Sequence, residues 1–167
     1  MGRVPFIRRA PGDPLQEAFG YLARRSRTVA ETRRHLARRG HLSEAAEQAI
    51  ERLQQMGYLD DLAYTRRYAG WSASEKPMGR SRLVAELAAH GVDRDTIARG
   101  LDDCFGDEDE RHALERALER ALRGQRGALD AQTARRLAAR LMRRGFGAGR
   151  VHAALKGLGA ADETESD

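Results

Sequence analysis

Residues 28–53, TVAETRRHLARRGHLSEAAEQAIERL, decide the fold. Two helical patterns stand there, separated by one glycine, Gly40. Thr28 followed by Glu31 reads as a capping box, in which each side chain satisfies a backbone N–H of the other. Val29, Thr32 and Leu36 share one face of that helix, and Gly40 can take the left-handed conformation that ends it. Ser43 is expected to cap the second helix, whose Ala46, Ala49, Ile50 and Leu53 line one face until Gly57 stops it.

The pattern returns twice. Gly40, Gly91 and Gly145 can be set in register, 51 and 54 residues apart. Four residues before each stands a leucine: Leu36, Leu87 and Leu141. Six residues after come Ala46, Ile97 and Val151; ten after, Ile50, Leu101 and Leu155; thirteen after, Leu53, Cys104 and Leu158. Those offsets fall on one helix face, so each unit is a helix, a glycine turn and a helix with a shared core. Cys104 is therefore expected as a small core residue. A preceding helix completes each unit: one over about 15–24, one capped by Asp60 and carrying Tyr64, Tyr68 and Trp71, and one over about 107–123. The last unit continues with helices over about 130–144 and 149–157. Few β-branched residues and no alternating run leave strands without a signal.

The expected fold is all-α, three tandem three-helix (helix-turn-helix-like) repeats in an elongated, curved row, because such modules bury little alone. The expected boundaries are a flexible segment 1–13, repeats over 14–57, 58–106 and 107–158, and an acidic disordered tail 159–167. Tyr58 and Leu59 are expected to pack between the first and second modules.

Composition agrees with thin modules. Hydrophobic residues make up 41% and aromatics 5%, which favours a core of Leu and Ala. No apolar run approaches the length of a membrane span, and no hydrophobic run follows the N-terminal arginines, so neither a span nor a secretory leader is expected. One cysteine allows no internal disulfide, and the cytoplasm is the expected compartment. A monomer is expected.

The 167 residues carry 30 Lys+Arg against 25 Asp+Glu, a formal net charge of +5. All but Lys76 and Lys156 of the bases are arginine. Segment 1–57 carries +5, 58–106 carries −1, 107–161 carries +5 and 162–167 carries −4. On a helical wheel Arg136, Arg140 and Arg143 lie opposite Leu137, Ala138, Leu141 and Met142, with Arg135 and Arg144 flanking. In the first module Arg34 and Arg38 face outward, with Arg39 to one side. Few acids accompany either set, so both are candidate contacts for phosphate or for an acidic protein surface. Around Glu115 and Glu119, by contrast, Arg111, Arg116, Arg120 and Arg123 can pair within one helix, as on a solvated face.

Signs of chemistry are missing. His35, His41, His90, His112 and His152 form no metal-ligand spacing. The glycines of 145–149 have neither a preceding strand nor a following Lys-Ser/Thr, so a phosphate loop is not supported. Asp107 to Glu110 lacks the glycine and terminal glutamate of a calcium loop and suits a helix N-terminus. Asp60 and Asp61 are adjacent on a helix and diverge by roughly 100°, so capping is the expected role rather than acid–base work. No catalytic, cofactor-binding or metal-binding residue is expected.

Gly57-Tyr58-Leu59-Asp60-Asp61, with Leu53 before it and Tyr64 and Tyr68 after, resembles the most recognisable signature of the RecX regulatory family. Arg25-Ser26-Arg27-Thr28 with Glu31, Leu36 and Gly40 is similar to that family's first repeat. Gly79, Arg82-Leu83, Glu86-Leu87, Gly91-Val92, Ile97 and Leu101 are similar to its second. Leu137, Leu141, Arg144-Gly145-Phe146, Val151 and Leu155 are similar to its third. The resemblance covers roughly residues 15–158; Thr65 departs from it, standing where a small apolar residue is more usual.

The resemblance implies a bacterial cytoplasmic regulator of the RecA recombinase, not an enzyme. Members bind along the RecA–single-stranded-DNA filament and restrain ATP hydrolysis, strand exchange and repressor cleavage in DNA repair and the SOS response. Both arginine clusters would then meet RecA surface or DNA phosphates, single- or double-stranded. The alternative from another class is a stand-alone helix-turn-helix DNA-binding protein acting on transcription.

Overall fold

The computed structural model describes residues 12–123 and 130–164. Most of the N-terminal segment expected to be flexible (1–11), the glycine-rich break (124–129) and the last tail residues (165–167) lie outside the described residues. Among the described residues there are nine α-helices and no strand. They group into two compact units that part at Tyr64 and Thr65.

One device ends four of the helices. Among the described residues the glycines with positive φ are Gly40, Gly57, Gly91 and Gly145, between 75° and 88°. At each, the glycine N–H and the next N–H turn back onto the last helical carbonyls. Gly40 donates to Ala37 and His41 to Leu36, and Gly57 donates to Gln54 and Tyr58 to Leu53. Likewise Gly91 donates to Ala88 and Val92 to Leu87, and Gly145 to Met142 and Phe146 to Leu141. This is the Schellman motif, and the leucine accepting the second bond is buried each time. The leucine four residues before glycine thus has a backbone reason as well as a core reason.

The first unit contains α1 (Pro14–Leu22), α2 (Val29–Arg38) and α3 (Ser43–Gln55), each packed on the other two. Its core is Ala18, Leu36, Ala46, Ala49, Ile50, Leu53 and Leu59, with Leu15, Phe19, Leu22 and Val29 against it. The capping box of Thr28 and Glu31 opens α2. Ser43 is not the cap of α3. Leu42 holds that place without a side-chain bond, because the first i+4 bond runs from Ala46 N–H to the Leu42 carbonyl and takes Ser43 into the first turn. Leu59 is buried within this core, whereas Tyr58, expected with it to pack between the first and second modules, is exposed. Tyr58 is 60% exposed, and its ring stands T-shaped to that of Phe19, centroids 5.0 Å apart, because the turn at Gly57 directs it outward.

α4 (Asp61–Glu75) begins before that division and ends after it. The second unit continues with α5 (Arg80–Ala89), α6 (Arg94–Cys104), α7 (Asp107–Leu122), α8 (Ala131–Arg143) and α9 (Ala148–Thr164). α5 packs on α6, and α7, α8 and α9 pack on one another. The repeat register holds best near the glycines. Ala46, Ile97 and Val151 are all buried, Ile50 and Leu101 are buried while Leu155 is half-buried, and Leu53 is buried while Cys104 is half-buried and Leu158 is exposed. Cys104 therefore sits at the rim of a core, its thiol donating to the Gly100 carbonyl at 3.0 Å, with burial pushing its pKa up. Met142 likewise falls outside its expected apolar arc and is exposed beside buried Leu141. α9 does not stop at Gly157 but runs to Thr164, into the expected tail.

A tight approach joins the α4–α5 turn to the end of α8. Gly79 N–H donates to the Arg144 carbonyl at 2.9 Å, and the Ser81 hydroxyl donates to the Gly145 carbonyl at 2.8 Å. A Cβ on Gly79 would overlap the Gly145 carbonyl group.

Candidate basic interface

Carboxylates do much of the joining between helices. Asp60 accepts the Ala63 N–H at 2.9 Å and caps α4. Asp61 accepts the Val29 N–H at 2.9 Å, so it covers the start of α2 from a helix that comes two later. Arg80 stands 51 residues beyond Val29, and its N–H goes to Glu110 of α7 at 2.9 Å. The repeat therefore caps its middle helix with an acid borrowed from the helix two later, in both places where that can be seen. The acidic run at the start of α7 belongs to the same scheme. Asp109 accepts the Gly106 N–H at 2.9 Å, and Asp107 and Glu110 both pair with Arg150 of α9.

The first arginine cluster is largely engaged. Arg39 reaches across to Glu17 of α1 through two bonds, at 2.9 and 3.3 Å, and His35 shares that carboxylate at 3.0 Å. These partners hold the Glu17 carboxyl below its ordinary pKa, Arg39 first and His35 second. Arg34 donates to the Ala30 carbonyl at 3.2 Å. Only Arg38 of the three is exposed with no ion-pair partner among the described residues. The expectation of an unpaired face fails at Arg39, because its pairing runs between helices, which spacing along one helix does not reveal.

The second cluster is different. Asp130 opens α8 by accepting the Thr133 N–H, and Leu137, Ala138 and Leu141 are buried. Arg135, Arg136, Arg140 and Arg143 are exposed, Arg144 is half-buried, and none of the five forms an ion pair among the described residues. Burial, followed by the nearby charges of Arg140 and Arg120, pushes the Arg144 guanidinium below its ordinary pKa. Beside this end of α8, Lys76, Pro77, Met78, Arg82, Arg143 and Arg144 line a crevice of about 200 Å³. Arg82 also holds Glu86, at 2.6 Å.

Sequence reasoning missed Lys76 and Arg82 as neighbours of the α8 arginines. The available signal was Gly79, which takes the place that Thr28 fills 51 residues earlier and so marks a close approach. It also misjudged Arg120, which does not pair with its own helix but donates to the Ser74 and Glu75 carbonyls of α4, at 2.5 and 2.6 Å. Among the described residues no group of His, Cys, Asp and Glu is arranged to hold a metal ion, and no helix is long and apolar enough to cross a membrane.

Comparisons with known proteins agree with these features. The sequence pattern described as RecX, first three-helix domain, matches residues 15–53, and that of RecX, second three-helix domain, matches residues 60–101. A regulatory protein RecX from Pelodictyon phaeoclathratiforme is 34% identical over 157 residues, covering 92% of this chain and 95% of that protein. One from Stenotrophomonas maltophilia is 35% identical over 133 residues, covering 80% of this chain and 79% of that protein. The crystal structure of RecX from Lactobacillus salivarius shares the fold at a TM-score of 0.74 and 17% identity, covering 87% of this chain and 94% of that one. With two of its domain patterns matched and relatives of near-equal length above 30% identity, the chain belongs to the RecX family of regulatory proteins.

Proposed function

We propose that this protein acts in the cytoplasm on the RecA recombinase, binding the RecA–single-stranded-DNA filament and restraining ATP hydrolysis, strand exchange and repressor cleavage without chemistry of its own. The observation that carries the reading is the α8 surface, where Arg135, Arg136, Arg140 and Arg143 stand exposed with no carboxylate partner among the described residues. An arginine row of that kind in a protein of this family suits a large anionic partner. The modules over 14–57, 58–106 and 107–158 are the binding units in this reading, each able to touch a different recombinase subunit. Because Arg39 is committed to Glu17, the weight falls on α8 rather than equally on both clusters. Inhibition then requires that the protein prefer one filament state, since a ligand shifts an equilibrium only by its differential affinity.

Single-stranded-DNA-dependent ATP hydrolysis by the recombinase of the same organism tests this. Strong inhibition is expected at less than one copy per recombinase. The Arg136→Ala/Arg140→Ala/Arg143→Ala variant should need about tenfold more protein for the same inhibition, at unchanged helicity. No inhibition by the parent at equimolar protein would discard the reading, and sequence-preferring duplex binding would then favour a transcriptional role.

A further inference from the structure

The crevice beside α8 has the construction of a binding site. Pro77 and Met78 are buried and give it an apolar base, while Lys76, Arg82, Arg143 and Arg144 supply cations. Lys76, Arg143 and Arg144 have no ion-pair partner among the described residues. Its two walls are fixed to each other by the Gly79–Arg144 and Ser81–Gly145 hydrogen bonds and by the absence of a side chain at Gly79. The backbone positions that carry these cations are therefore fixed to one another before any ligand arrives. Burial and the neighbouring like charges of Arg140 and Arg120 depress the Arg144 guanidinium, a strain that an anion in the crevice would relieve.

We propose that this crevice is a phosphate subsite that takes a phosphodiester of a nucleic-acid backbone, held by Lys76, Arg143 and Arg144. The proposal rests on the reading of the α8 face as a binding surface and adds to it the ligand and one residue outside that helix, Lys76. Guanidinium forks match phosphate oxygens in pairs, and the Lys76 ammonium adds a compact third charge. Arg136, Arg140 and Arg143 recur every three or four residues, about 5–6 Å apart along α8, and lead to the crevice. A row of evenly spaced cations fits a polyanion with regular charge better than the irregular carboxylates of a protein surface.

The experiment is fluorescence anisotropy of a labelled thymidine 20-mer with the full-length protein, titrated across salt concentrations. The Lys76→Gln/Arg143→Gln variant removes two exposed side chains and should keep its helicity. It should bind about tenfold more weakly, and its log–log salt slope should be shallower by about 1.4, or 0.7 for each single-strand phosphate no longer neutralised. Arg94→Gln/Arg116→Gln removes the same charge away from the crevice and should change neither by as much. Equal weakening in both variants would reduce the effect to net charge and overturn the proposal. Inorganic pyrophosphate raising the melting temperature of the parent but not of Lys76→Gln/Arg143→Gln, with oligonucleotide binding equal in both, would assign the crevice to a small free phosphate and overturn the nucleic-acid source. Unchanged oligonucleotide binding with inhibition of the recombinase intact would sink the subsite alone. Weakened oligonucleotide binding in a protein that never inhibits the recombinase would keep the subsite and sink the functional reading.

Discussion

A side chain at Gly79 would have to displace backbone, since the nearest atoms to its Cβ are the carbonyl oxygen and carbon of Gly145, well inside van der Waals distance. Gly145 cannot give way cheaply. It sits at φ +88°, and its own Cβ direction points at the Arg82 backbone nitrogen with no room between them. Gly79→Ala is therefore expected to destabilise by roughly 2–3 kcal/mol, the upper range for overpacking a close approach. Gly70 lies within α4 with nothing near its Cβ, and Gly70→Ala should stabilise by about 0.5–1 kcal/mol. Urea unfolding of the two variants decides the matter, and equal responses would mean that the Gly79–Gly145 approach is looser than described. The exposed Tyr58 belongs to the same scale, because its ring pairs with Phe19 while the residue stands outside the buried core.

At the scale of helices, the register is a prediction about energy as well as position. Leu53 and Leu158 stand thirteen residues after Gly40 and Gly145, yet Leu53 is wholly buried and Leu158 is 36% exposed. Leu53→Ala should cost about 2–5 kcal/mol, as for emptying a filled core site. Leu158→Ala should cost well under about 1 kcal/mol, within the range of surface changes. Comparable destabilisation of the two in thermal or urea unfolding would show that α9 is packed more deeply than its exposure indicates. The contrast also shows what a sequence can tell. Helix starts at Thr28, Asp60 and Asp130 and stops at the four left-handed glycines were legible because caps and turns are chosen by local chemistry. The Arg39–Glu17 pair, the Arg120 bonds to α4 and the borrowed caps of Asp61 and Glu110 were not. Each depends on which helices become neighbours, and spacing within one helix carries no record of that.

Over the whole molecule, acids and bases have divided their work. Carboxylates are placed at helix starts and between helices, while the arginines of α8 remain without an ion pair among the described residues. The carboxyl groups of Glu17, Glu47, Asp93, Glu108 and Asp130 are all held below their ordinary pKa. Arg39 leads at Glu17, Arg33 at Glu47 and Arg111 at Glu108, while hydrogen bonds from Thr96 and Thr133 lead at the two aspartates. A depressed carboxylate favours the folded state fully above its unfolded pKa, and that contribution is lost as pH falls through the lower folded value. On the alkaline side Arg33, Arg111 and Arg150 are pushed further up, so the pairs persist. Acid also adds positive charge to a chain that already carries +5 at neutrality, so self-repulsion grows in the same direction. The melting temperature should hold between about pH 8 and 6 and decline steadily below about pH 4.5, where carboxylates titrate. Glu17→Gln should lower the neutral plateau and flatten part of that decline, because the residue that would titrate is gone while Arg39 and His35 lose their acceptor charge. A parent melting temperature that stays flat to about pH 3, or a Glu17→Gln decline as steep as the parent's from an unchanged plateau, would mean that these carboxylates decorate the helix starts without holding them.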